Sequence, residues 1–224
     1  MELMTLIADM SLLSPSVVLS ELTELSQITP LKLGVLASGN GSNLEAIAQA
    51  IADQHLKAQI QVLIYNNPDA FVATRADRWG IPKVLLNHRT FPNREALDQA
   101  IAEVLHQHQV EWVIMAGWMR IVTPVLINAF PDRILNIHPS LLPSFPGVHA
   151  VEQALAAGVK IAGCTVHRVI PEVDRGPILI QAAVPVLPDD TAETLHARIQ
   201  TQEHRIYPLA IALAAQAGAS EKQP

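Results

Sequence analysis

From Leu31 onward, short apolar runs alternate with stretches in which apolar residues recur every three or four positions. A run of β-branched and aliphatic residues suits a strand buried on both faces, whereas three- and four-residue spacing marks one face of a helix. The runs at 31–37, 59–65, 82–86, 111–116 and 133–137 are the predicted strands, and 42–54, 70–79 and 93–108 the helices between them. Leu97, Ile101, Val104 and Leu105 carry the helical spacing most plainly. Strand and helix in regular alternation predict βαβ crossovers. After Pro143 the rhythm changes: 150–157 reads as helix, 161–169 and 177–186 as strands, with Pro171, Asp174 and Gly176 in the turn between the strands. A last helix covers about 191–215, with Asp190 or Thr191 as its cap and Glu193 in its first turn. The expected fold class is α/β, a single domain with a mainly parallel sheet flanked by helices and an antiparallel C-terminal strand region. Residues 1–30, with helical hints at Leu19, Leu22 and Leu25, read as an appended segment; 31–215 form the domain and 216–224 a tail.

Composition narrows the classes of function. Half of the 224 residues are hydrophobic and 16% are charged, a balance that favours a folded core over disorder. The net charge of −6 offers no basic footprint for nucleic acid, yet a few backbone N–H groups and one or two arginines still suffice for a small anion. Cys164 is the sole cysteine, so neither an intrachain disulfide nor a cysteine zinc cluster can form, and a reducing compartment is expected. The first thirty residues lack the pattern of a secretory signal, and no stretch reaches the ~20 apolar residues of a membrane span. The expected location is cytoplasmic. A monomer and a homodimer are both admissible.

Two windows carry chemistry. The first strand runs into Ser38-Gly39-Asn40-Gly41-Ser42-Asn43, after which Leu44 begins a helix. Glycines permit a tight turn and a close backbone approach, and the helix start offers N–H groups to a phosphate. A plain turn with a Ser or Asn cap has the same appearance. A dinucleotide site fits less well, because Leu44 stands at the third glycine position and Asn66-Asn67 where a ribose-binding acid belongs. In the second window, Ile134-Leu135-Asn136-Ile137-His138-Pro139 places Asn136 and His138 two apart at a strand end, so both project to one face. An amide and an imidazole there can polarise a carbonyl and transfer a proton, or can be a capping amide and a satisfied core histidine. Asp174 either shapes its turn or reaches His138, where a carboxylate would favour the imidazolium.

Together, Gly39-Asn40-Gly41-Ser42-Asn43, Asn136 to Pro143, Gly163-Cys164-Thr165-Val166-His167 and Gln202-Glu203-His204 resemble the folate-dependent phosphoribosylglycinamide formyltransferases, over about 31–209. The resemblance implies a Rossmann-like domain, with 10-formyltetrahydrofolate as co-substrate and 5-phosphoribosylglycinamide as acceptor in purine biosynthesis. No metal is required. It implies Asn136, His138 and Asp174 as catalytic residues. Gly41, Ser42 and Asn43, with Gln200, Thr201, Gln202 and Glu203, would hold the ribonucleotide. Arg94, the segment Met119, Arg120, Ile121 and Val122, Asn136, and the loop Ile170, Pro171, Glu172, Val173 and Asp174 would hold the folate. The chain departs from the pattern in its N-terminal extension, in Ile170-Pro171 and in a tail that stops soon after the last helix. The alternatives are a formyltetrahydrofolate hydrolase, expected to carry a separate leading domain, a transfer-RNA formyltransferase, expected to carry a further domain and a basic face, and a non-catalytic nucleotide-binding module.

Overall fold

A computed structural model of the chain describes residues 30–220 and, as backbone, the strand β1 (Leu12–Ser14). In chain order the remaining elements are β2 (Leu31–Ala37), α1 (Ser42–Ala52), β3 (Ala58–Tyr65), α2 (Val72–Arg78), β4 (Lys83–Leu85), α3 (Arg94–Gln107), β5 (Trp112–Met115), α4 (Pro124–Ala129), β6 (Ile134–His138), α5 (Ala150–Ala156), β7 (Ile161–Arg168), β8 (Ile178–Pro185) and α6 (Ala192–Ser220). The strands form one sheet in the order β1-β8-β7-β6-β5-β2-β3-β4. From β4 to β6 every neighbour is parallel; β7, β8 and β1 run antiparallel to theirs. The α/β class, the mainly parallel sheet and the antiparallel late strands all match the sequence reading.

Strand alternation divides the core between the two faces of the sheet. On one face Leu33, Val35, Trp112, Ile114, Leu135 and Ile137 pack against Leu44 and Ile47 of α1 and Ile199, Ile206 and Tyr207 of α6. On the other, Leu36, Val62, Ile64, Val113, Met115 and Ile134 pack against Leu97, Ile101 and Leu105 of α3 and Leu126 of α4. The chain leaves β2 for β3 and β4 on one side and returns to β5 and β6 on the other. Such a reversal opens a crevice beyond the carboxyl ends of the two central strands. Here it is bridged by Ser38 N–H to Gly117 O at 3.0 Å and Met119 N–H to Ser38 Oγ at 2.9 Å.

Three elements differ from the sequence reading. The helix α4 is too short for apolar periodicity to reveal it; Pro124 at its start and the Thr123 cap, whose hydroxyl accepts from Val125 N–H, define it instead. The last helix continues through Pro208 to Ser220, past the predicted end at 215 and into the segment read as a tail. The strand β1 lies within the segment read as an appendage, and its pairing with β8 is a tertiary contact that local pattern does not encode. Leu19, Leu22 and Leu25 lie outside the described residues.

Tyr207 fastens α6 to the sheet beside the crevice. Its fully buried hydroxyl lies 3.0 Å from Met115 O and 3.1 Å from Leu135 O, on adjacent strands. Tyr207→Phe leaves those carbonyls without their donor in a site closed to water, and is expected to cost about 1–3 kcal/mol by denaturant titration. Unchanged stability would show that this hydrogen bond does not fasten the helix.

Candidate active site

The register of β6 against β7 sets the site. Asn136 stands directly opposite His167, and His138 opposite Thr165. Opposed residues on antiparallel strands project to the same face, so the amide and the second imidazole meet: Asn136 Nδ2 lies 3.2 Å from His167 Nε2. His167 Nδ1 lies 2.9 Å from Arg168 O, which can only accept, so that nitrogen carries a proton. Nε2 faces both the Asn136 amide and Asp174 Oδ1, so His167 positions the two groups, and the amide keeps a second N–H.

Asp174 comes from the β7–β8 turn. Gly176 permits the turn to close, since a Cβ there would lie 1.7 Å from Arg168 O. Asp174 has a left-handed φ of 55°, which an Asp tolerates better than most side chains. Its Oδ2 accepts from Gly147 N–H at 2.8 Å and lies 3.5 Å from His138 Nδ1; its Oδ1 lies 3.6 Å from His167 Nε2. Burial pushes the carboxyl up, but the His167 contact, the Gly147 N–H and the charge of His138 outweigh it and hold Asp174 below the usual range. His138 Nε2 lies 2.8 Å from Phe145 O and so donates to it. Its other nitrogen faces the carboxylate, which favours a proton there too. Both ring nitrogens thus have protein partners in this arrangement.

These groups line a cavity of about 640 Å³. Met119, Arg120, Ile121 and Val122 form one wall, and Ile170, Pro171, Glu172, Val173 and Asp174 another. Trp118 Nε1 and Arg120 Nε are buried and have no hydrogen-bond partner among the described residues. The first wall is anchored by Asp98, 2% exposed, whose Oδ2 accepts from Thr123 N–H. Burial raises the Asp98 carboxyl, more than the Thr123 contacts lower it. Arg94 does not join the wall: it opens α3 in an exposed position and lies outside the cavity lining.

The glycine turn lies at the adjoining end of β2. Gly41 has φ 81°, and a Cβ on it would come within 2.4 Å of the Val72 side chain, so no other residue fits undisturbed. Gly41 O accepts from Glu45 N–H to start α1, leaving the first N–H groups of that helix without intrahelical acceptors. Asn43 Nδ2 donates to Glu203 Oε2 at 2.9 Å, which joins the turn to α6. Burial raises the Glu203 carboxyl, the Asn43 bond only partly opposing it. Of the neighbouring residues, Thr201 is exposed and donates to Ala197 O, Gln202 accepts from Arg205, and Gln200 is half-buried.

The structure thus gathers Asn136, His138 and Asp174 around one cavity and brings Asn43 to Glu203. Residues 31–211 match the formyl transferase family model. The chain belongs to the formyl transferase family. It is 44% identical over 180 residues to the phosphoribosylglycinamide formyltransferase of Bacillus subtilis, covering 80% of this chain and 92% of that one. It is also 44% identical over 184 residues to the human trifunctional purine biosynthetic protein adenosine-3, covering 82% of this chain but 18% of the larger one. The fold superposes with a TM-score of 0.84 and 49% identity on a glycinamide ribonucleotide transformylase from Symbiobacterium toebii, covering 85% and 90% of the two chains.

His167 was not among the candidate residues. It stands in a motif that carries the family resemblance, but its contact with Asn136 depends on the β6–β7 register, which a local window does not contain.

The ion cluster gives a signed pH dependence. Asp174 has a folded pKa below its unfolded value, so its stabilisation is complete above the ordinary carboxylate range and is lost as pH falls through the folded pKa. Asp174→Asn is expected to flatten that part of the stability–pH curve while leaving the fold intact, as read by thermal melting across acidic pH. An unchanged slope would mean that the carboxylate has no stabilising partners.

Proposed function

We propose that the chain transfers the formyl group of 10-formyltetrahydrofolate to the amine of 5-phosphoribosylglycinamide, giving formylglycinamide ribonucleotide and tetrahydrofolate in purine biosynthesis. The observation that carries this reading is a carboxylate between two imidazoles, with an amide beside it, at the wall of a cavity near a glycine turn that opens a helix. The cavity suits a flat heteroaromatic ring with polar edges. Met119, Ile121, Val122, Ile137 and Val169 supply apolar surface, and Trp118 and Arg120 bring N–H groups that have no acceptor among the described residues. The N–H groups at Gly41, Ser42 and Asn43 suit the phosphate.

The bound folate supplies an acylated nitrogen whose formyl carbon is electrophilic. As the amine lone pair bonds to that carbon, the carbonyl electrons move to oxygen; collapse then breaks the bond to N10, which takes a proton as the amine loses one. The second N–H of Asn136 and the positive charge on His138 stabilise the oxygen as it becomes negative. Asp174 sustains that charge and fixes the ring, and His167 fixes the amide. Glu203, joined to the turn through Asn43, faces the ribonucleotide.

Asp174→Asn and His138→Ala are each expected to lower kcat by roughly two orders of magnitude with native circular dichroism, in a spectrophotometric assay supplied with both substrates. Near-normal turnover in either purified variant removes its assigned role. Omitting the ribonucleotide should abolish folate product release; continued release identifies a hydrolase. Gly41→Val is expected to raise the KM for the ribonucleotide more than that for the folate, because a side chain blocks backbone approach to the phosphate. An unchanged ribonucleotide KM would assign the turn elsewhere.

A further inference from the structure

The glycine turn is held from outside by a residue that neither the mechanism nor the sequence motifs use. Arg75, on α2, donates through Nε to Asn40 O at 2.9 Å and through Nη2 to Asn40 Oδ1 at 2.9 Å. Its Nη1 donates to Glu45 Oε2, in the first turn of α1, at 2.7 Å. Trp79 Nε1 holds the other Glu45 oxygen at 2.9 Å, and the guanidinium lies 5.2 Å from the centre of the Phe71 ring. One residue earlier in the turn, Gly39 O accepts from Val72 N–H at 3.1 Å, also on α2. Two successive carbonyls of the turn are therefore drawn toward the same helix.

The consequence follows from peptide geometry. Across a planar trans peptide the carbonyl and the next N–H point in opposite directions. Drawing Gly39 O and Asn40 O toward α2 turns the N–H groups of Asn40 and Gly41 away from it, on the side where α1 presents its own free N–H groups. We propose that Arg75 is a positioning residue for the ribonucleotide phosphate, a planar fork that fixes the Asn40–Gly41 peptide so that its N–H is aimed before the ligand arrives. This rests on the reading of the turn as the phosphate site.

The guanidinium acts here by shape more than by charge. Glu45 already neutralises it, and the Arg75–Asn40 contacts need two N–H groups in one plane. A lysine at 75 keeps the charge but cannot span the backbone and side-chain oxygens of Asn40 together. Charge attraction and bracing therefore predict opposite results for one conservative substitution.

The experiment measures kcat and both KM values for the full chain and for Arg75→Ala, Arg75→Lys and Asn40→Ala, with a thermal melt of each. Bracing predicts that the ribonucleotide KM rises about tenfold in Arg75→Ala and nearly as far in Arg75→Lys, while kcat and the folate KM stay within about twofold. Asn40→Ala, which keeps the backbone contact, should show a smaller rise of the same kind. Unchanged ribonucleotide KM in Arg75→Ala overturns the inference, and so does full rescue by lysine, which would make the residue a charge. A fall in kcat with a parallel rise in both KM values and lowered melting in both Arg75 variants also overturns it, since the residue would then be a general support of the fold. Failure of the unmutated chain to transfer formyl to the ribonucleotide removes the underlying reading, whatever the variants do.

Discussion

The pairing register between β6 and β7 is the constraint on which the site depends. Side chains on a strand alternate between faces, so a slip of one residue would carry Asn136 and His138 into the apolar layer beneath α6. Burial on that layer prevents the slip. Leu135 and Ile137 are packed under α6 together with Cys164 and Val166, so the core that stabilises these strands also fixes which residues meet above them. Asn136 and His167 require no further device to find each other. The turn that carries Asp174 is fastened by its own carboxylate to Gly147, which ties the two loops flanking the cavity through one charged group.

Charge within this acidic chain is apportioned between two ends of one crevice. At one end Asp174 is held ionised between two imidazoles and sustains positive charge where, in the proposed reaction, an oxygen becomes negative. At the other, Glu203 is buried and its carboxyl raised. In the proposed reaction the acceptor amine attacks only as the free base, and a fully ionised carboxylate near it would favour the ammonium form. Burial that disfavours charge on Glu203 weakens that opposition. The two acids thus have opposite shifts for different physical reasons: partners decide the first, desolvation the second.

The fold was largely legible because α/β chains announce themselves by alternation, and the strands from Leu31 to His138 lie close to the apolar runs that suggested them. What escaped was tertiary in origin. The strand Leu12–Ser14 acquires its state from the β8 edge, and α4 is too brief to have a period. In the site, Asn136 and His138 could be paired from their two-residue spacing alone, whereas the approach of Asp174 was a conjecture that local sequence left open. His167 and Arg75 were out of reach for another reason. The first needs strand register and the second a contact between α2 and a turn 35 residues away, and neither is periodic.

Several groups around the cavity sit badly for stability. Asp98 and Glu203 are carboxyls raised by burial, and Trp118 and Arg120 carry buried N–H groups with no acceptor among the described residues. The two unpaired N–H groups oppose folding, since an unpaired buried polar group costs about 1–3 kcal/mol. Trp118 and Arg120 both lie on the wall of the cavity. An enzyme whose co-substrate carries polar ring edges gains by leaving such donors uncommitted until that ligand binds. The same logic applies to the glycine turn, where α2 holds Gly39 O and Asn40 O and thereby leaves the opposite ends of those peptides, the N–H groups of Asn40 and Gly41, facing away from it.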